Sequence, residues 1–257
     1  MSLLNSLLDQ LFLSSPLELI ILLLIILMAS IVRGAIGFGF SALLVASTSF
    51  WLPPVSVVTM TVVLEVVASL MMMRNVKTDI QYRLLIPLAA GTTFASMFGV
   101  YLLSIINPDL LQLLIASYLT VICVLSLIQF RFKPEPSAIR LVIVGSLAGL
   151  FNGLAAIGGV LIALFLTGSG ITVSRIRATM VIYFFISEAS FMAGALLSDV
   201  YSKEIFYTSL VAIPVMFVGI HYGTRLFNYL PEAKLRRMVL VALILISGIG
   251  LIKTLVT

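Results

Sequence analysis

Charge is scarce in this chain. Only 10% of its 257 residues are charged, and cysteine, histidine and tryptophan occur once each. A soluble domain carries about 25% charged and about 45–50% apolar residues. Here 61% of the residues are hydrophobic and the mean hydropathy is +1.24. A water-soluble globule needs a wetted polar skin that this composition does not supply, so a lipid bilayer is the solvent that fits. A single cysteine excludes an intrachain disulfide and a multi-thiolate metal site, and Cys123, set in an apolar run, reads as a packing residue. A single histidine excludes a His-rich metal cluster and leaves a nucleophile–histidine enzyme poorly supplied. No Gly-x-x-x-x-Gly-Lys-Ser/Thr loop is present, so direct ATP drive would require a partner chain. No cofactor is indicated.

The apolar residues fall into segments. A membrane-crossing helix needs about 20 of them, within a range of about 17–25. That ruler yields ten segments, at 17–33, 36–52, 55–73, 84–106, 109–130, 139–154, 156–170, 177–198, 204–226 and 233–255. The second and seventh are short, and glycine interrupts their starts. Residues 1–16 contain no Lys or Arg, so the positive region of a secretory signal is missing. Leu3, Leu4, Leu7, Leu8, Leu11 and Phe12 instead recur at helical spacing, which predicts an amphipathic interfacial segment over 1–16.

The net charge of +5 is distributed as an orientation signal and not as a nucleic-acid surface. Arg33, then Arg74, Lys77 and Arg83, then Arg131, Lys133 and Arg140, then Arg175 and Arg177, then Arg225, Lys234, Arg236 and Arg237 mark every second connection. The intervening connections hold only Lys203. The positive-inside rule places the basic loops in the cytoplasm and both termini outside.

The chain also repeats itself. Gly34-Ala35-Ile36-Gly37-Phe38-Gly39 in the first half answers Gly153-Leu154-Ala155-Ala156-Ile157-Gly158-Gly159 in the second. Gly37 and Gly158 are 121 positions apart, Glu65 and Glu188 are 123 apart, and Pro108 and Pro231 are also 123 apart. Each half, 17–133 and 139–257, holds five segments. An odd number forces the halves into opposite orientations, which is the inverted repeat of many secondary transporters. The expected fold is therefore all-α, a polytopic helix bundle of about ten transmembrane segments in two inverted five-segment repeats.

Paired, glycine-interrupted segments are the sequence pointer to a transporter's binding site. Where a helix restarts, its first N–H groups lack intrahelical partners and carry partial positive charge, which suits an anion. Gly37, Phe38 and Gly39 with Ser41 form one such break; Asn152 with Gly158 and Gly159 forms the other. The same glycines also suit close helix packing. Arg33 precedes the first break and is either the cation of an anion site or a snorkelling anchor. Arg175 and Arg177 read as anchors, one of which could face the cavity.

Glu65 and Glu188 interrupt apolar runs. Carboxyl groups in hydrocarbon are costly, so they are candidates for carrying a coupling proton, or for bonding a neighbouring helix. His221, between Gly219 and Gly223, offers a third proton site or an interhelical hydrogen bond.

The glycine-rich turn after the first helix resembles that of the sulfite exporter TauE/SafE family of membrane transporters. So do Arg74-Asn75-Val76-Lys77-Thr78-Asp79, the run Gly149 to Gly159, and Gly219 to Gly223 followed by Pro231-Glu232 and Lys234 to Arg237. The resemblance covers about residues 19 to 255. It implies a secondary transporter, often an exporter, of a small sulfur-containing anion such as sulfite or an organosulfonate, in the inner membrane of a bacterium; some relatives are linked to carboxylates. It departs from the family pattern at Val160, where a third glycine is frequent, and in lacking a proline within 41–49 and 161–167. The competing functions are an anion channel, a small-carboxylate transporter and an intramembrane enzyme. The expected partners are a small anionic solute and the bilayer.

Overall fold

The computed structural model describes residues 11–73, 79–128, 137–168, 170–198, 200–226 and 232–256. Among these residues the regular structure is helical throughout. The ten helices are α1 (Pro16–Ile36), α2 (Phe40–Thr48), α3 (Pro54–Met73), α4 (Tyr82–Ile105), α5 (Pro108–Leu127), α6 (Ala138–Ala155), α7 (Gly159–Gly168), α8 (Val173–Ala195), α9 (Lys203–Leu226) and α10 (Glu232–Val256). Seven of them, α1, α3, α4, α5, α6, α8 and α9, are long and apolar enough to cross a membrane. The chain is a multi-pass helical bundle.

Helix starts follow capping chemistry. Ser15 accepts a hydrogen bond from the N–H of Glu18, and Asn107 accepts one from the N–H of Asp109, each with a proline at the first helical position. Only the last part of the amphipathic segment expected over 1–16 lies within the described residues. Residues 11–15 are not helical, and Leu11 and Leu13 are buried against the bundle. Pro16 disfavours helical backbone in the residue before it, and Ser15 is extended at φ −150° and ψ 154°. Residues 1–10 lie outside the described residues, as do the basic-loop positions Arg74, Lys77, Arg131 and Lys133, and Pro231.

Two seams hold the bundle together. On α6, Gly145, Gly149 and Gly153 face the carbonyl groups of Leu88, Thr92 and Ser96 on α4, so closely that a Cβ at any of the three would collide with backbone. On α9, Gly219 and Gly223 meet Leu27, Ser30 and Ile31 of α1 in the same way. Hydrocarbon tails offer helices no hydrophobic drive to associate, so backbone approach of this kind supplies the packing energy. The fourth helix of each half thus lies against the first helix of the other half.

The seams also fix direction. Contacts between α4 and α6 advance together along both helices, so these run parallel. The same is true of α4 and α8, joined by Gln81 N–H to Thr179 Oγ1 (3.0 Å), Thr92 Oγ1 with Tyr183 Oη (3.0 Å) and Ser190 Oγ to Thr93 Oγ1 (3.3 Å). The contacts of α1 and α9 likewise advance together. Arg177 Nη2 donates to Thr224 Oγ1 at 3.5 Å, pairing the start of α8 with the end of α9, so these two are antiparallel. It follows that α1 opposes α6, and that α6 and α8 point the same way. The chain from Ala156 to Thr172 therefore runs back between them. It does so with a helix of only 10 residues, about 15 Å long, flanked by non-helical turns. α2, with 9 residues, is the matching half-length helix of the first half, about 14 Å long against a hydrocarbon core of about 30 Å. Its far end is tied to the start of α5 by Gln112 Nε2 donating to the carbonyl of Ser49 at 2.8 Å. Arg83, Arg140, Arg175, Arg225 and Arg237 all stand exposed at one end of the bundle, at the starts of α4, α6, α8 and α10 and the close of α9.

Candidate functional site

Both breaks are built alike. α1 ends on Gly37, left-handed at φ 84°, whose N–H donates to the carbonyl of Arg33 at 2.9 Å. α6 ends on Ala156, left-handed at φ 56°, whose N–H donates to the carbonyl of Asn152 at 2.7 Å. Gly39, at φ 91°, then turns the chain into α2. Left-handed backbone is easy for glycine and strained for alanine. Counted from these caps, Arg33 and Asn152 occupy the same position at the ends of their helices.

Their side chains make the same connection too. Arg33 reaches α3, where Nη2 lies 3.1 Å from Glu65 Oε2 and donates to Ser69 Oγ at 3.1 Å, while Nη1 donates to the carbonyl of Gly37. Asn152 reaches α8, where Nδ2 donates to Glu188 Oε1 at 3.2 Å. Each half joins the end of its first helix to the acid in its third. In the first half the link is an ion pair, and in the second it is a neutral amide on a carboxyl group.

The two links meet across one aromatic ring. The guanidinium carbon of Arg33 lies 4.1 Å from the centroid of Phe184 on α8, a cation–π contact. Gly159, the first residue of α7, packs so tightly on that same ring that a Cβ would collide with Cζ. Ser41, in the first turn of α2, lies beside the Glu65 carboxylate. The N-terminal ends of both half-length helices therefore converge on Arg33, Glu65 and Phe184.

The cluster is sealed. Arg33, Glu65, Asn152 and Glu188 are each 0% exposed, so no open path leads to the cation in this conformation. It also contains spare polar capacity. Among the described residues, Arg33 Nε, Glu65 Oε1, Asn152 Oδ1 and Glu188 Oε2 have no hydrogen-bond partner, and Glu65 Oε2 has the ion pair with Arg33 alone. A buried polar group without a partner costs about 1–3 kcal/mol.

The other sequence candidates divide. Phe38 and Ser41 are buried at the first break, at 4% and 2% exposure. Gly158 packs against the carbonyl of Ala148 and the Cβ of Asn152. Arg175 is exposed in the first turn of α8. Arg177, one helical step deeper, is the residue that arrives at the first break. Its Nη2 donates to the carbonyl of Gly34 at 2.6 Å, and its Cγ fills the space beside Gly37. His221 stands apart from the breaks. It lies exposed on the outer face of α9, its ring 6.1 Å from that of Tyr222, because Gly219 and Gly223 turn the opposite face of the helix to α1. Phe184 was not singled out by the sequence. Its only signal was a place one helical turn before Glu188.

No curated protein and no solved structure matches this chain. The family model described as sulfite exporter TauE/SafE matches residues 22–250, a stretch that contains both breaks, both acids and every helix from α2 to α9. The chain belongs to the sulfite exporter TauE/SafE family of membrane transporters.

Proposed function

We propose that this protein is a secondary transporter, working as an exporter, of a small sulfur-containing anion such as sulfite or an organosulfonate. The observation that carries the reading is Arg33, a fully buried cation at a helix break, already holding a carboxylate. A sulfonate or sulfite oxygen offers the guanidinium the same partner that Glu65 Oε2 offers now. The N-terminus of α2 adds partial positive charge beside it.

Alternating access fits two units of opposite direction whose central site is sealed. Each half, 17–133 and 139–257, exchanges contacts with the other through the α4–α6 and α1–α9 seams, and rocking one against the other would open the site to either side. Complete burial of the four polar side chains favours such a carrier over an open pore. The carboxylate on Arg33 also supports a second reading, a small-carboxylate transporter. The shared exposed end of Arg83, Arg140, Arg175, Arg225 and Arg237 supports a cytoplasmic placement for that end, with both termini periplasmic in a bacterial inner membrane.

Purified protein in liposomes, screened with sulfite, sulfoacetate, taurine and pyruvate with and without a pH gradient, tests this. Saturable counterflow of a sulfur anion is expected. Pyruvate alone moving would favour the carboxylate reading, unsaturable flux would favour a channel, and movement of none of the four would sink the proposal.

A further inference from the structure

Resting on the anion-transport reading, we infer that the Glu65 carboxylate and the transported anion compete for Arg33, so that a proton on Glu65 accompanies each monovalent anion, while Glu188 keeps its proton as a neutral partner of Asn152.

The inference comes from counting charge in a sealed site. Burying an uncompensated ion costs several kcal/mol even after relaxation, as an order of magnitude. The central cluster contains one cation, Arg33, and two carboxyl groups. The guanidinium is always charged. If both carboxyl groups were ionised, Glu188 would be a buried charge held by a neutral amide, since Arg33 pairs with Glu65 and Arg177, at the same break, donates to the Gly34 carbonyl and Thr224 Oγ1. One proton must therefore reside in the cluster, and the geometry says where. Glu65 has the ion pair, at 3.1 Å. Glu188 has an amide, at 3.2 Å. The other titratable groups that act on Glu188 include Tyr183 on its own helix, Tyr201 in the α8–α9 connection, Glu65 and Arg33. Those acting on Glu65 are Arg33 and Glu188, with the neutral Ser41 beside it. Glu65 has a cation at ion-pair distance and Glu188 has a neutral amide, so the proton belongs to Glu188. The unpartnered Asn152 Oδ1 and Glu188 Oε2 fit this assignment, because a protonated carboxyl can donate to the amide oxygen once the Asn152 side chain flips, and amide orientation is assigned from the network.

Now let a monovalent anion enter at Arg33. The cluster gains one negative charge, and balance returns when Glu65 takes a proton. That same proton breaks the ion pair and frees Nη2 for the anion. Proton binding and anion binding then favour each other, which is the linkage that couples two gradients.

Methanesulfonate is a suitable probe, because it stays ionised across the working pH range and cannot carry the proton itself. In purified protein its dissociation constant should rise about tenfold per pH unit above the Glu65 titration, the slope for one linked proton. Glu65→Gln should bind at least as tightly with no such slope, and Glu188→Gln should retain it. A slope that survives in Glu65→Gln, or vanishes in Glu188→Gln, overturns the assignment. Infrared spectra of protein without anion provide a second readout. A protonated-carboxyl band should be present in the wild type and missing in Glu188→Gln; a band that persists there in full also overturns it. A wild type that binds no methanesulfonate counts against the transport reading, while the infrared band still decides where the proton sits.

Discussion

Arg33 of α1 and Gly159 of α7 contact the same ring, that of Phe184, from the two halves of the chain. The cation lies over the ring and the glycine lies at its edge. Phe184 is thus the wall between the two breaks and a restraint on the guanidinium. A desolvated cation–π contact contributes about 2 kcal/mol. Phe184→Leu should weaken anion binding by about tenfold or more, measured by ligand-induced thermal shift in detergent, whereas Phe184→Tyr should stay within a few-fold of wild type. Equal losses in both would show that ring shape matters and not its face.

Gly37 and Gly170 both adopt left-handed backbone, at φ 84° and φ 71°, yet only Gly37 has a neighbour. Alanine at either position bears a backbone cost of about 1–2 kcal/mol. Gly37→Ala additionally pushes on Arg177 Cγ beside the break. Thermal stability should fall by a few degrees in both variants, and anion counterflow should fall several-fold more in Gly37→Ala. Matching flux in the two would sever Gly37 from the site.

Arg177 and Arg175 differ by two residues and by their whole surroundings. Arg177→Ala removes the donor to the Gly34 carbonyl and should cut anion counterflow at least tenfold. Arg175→Ala, at an exposed position, should leave it within about twofold. Reversal of that order would return Arg175 to the site.

His221 lies on the outer face of α9. His221→Ala should therefore leave the pH dependence of anion binding unchanged, as measured on the same titration as the wild type. A flattened profile would place a proton on the imidazole after all.

The extent of the fold was readable from the sequence because a bilayer imposes a length rule on apolar segments. Each of the ten expected segments contains most of one helix, for instance 84–106 with α4 (Tyr82–Ile105) and 204–226 with α9 (Lys203–Leu226), but two of those helices are half-length. Glu65, Glu188 and the breaks were readable because a carboxyl in hydrocarbon and glycine at a repeated offset are both rare. Which residues meet was not. Helical phase decides that Arg177 turns inward and Arg175 outward, and the expected start of that segment at 177 hid the helix that begins at Val173. That the second and seventh segments are short was readable, but apolar residues in the turns beside α2 and α7 extend the hydrophobic run beyond the helix and masked how short. Phe184 looked like any buried aromatic until Arg33 was placed over its ring.

The central claim is that Arg33 holds the transported anion. Arg33→Ala alone would strand Glu65 as an unpaired buried acid, at a cost of about 3–5 kcal/mol, and would confound loss of function with loss of fold. The double variant Arg33→Gln/Glu65→Gln removes both charges together and keeps polar side chains in place. Reconstituted in liposomes, after showing the wild-type elution profile in detergent, it should give no counterflow of the sulfur anion that the wild type moves. Counterflow at the wild-type rate would contradict the account.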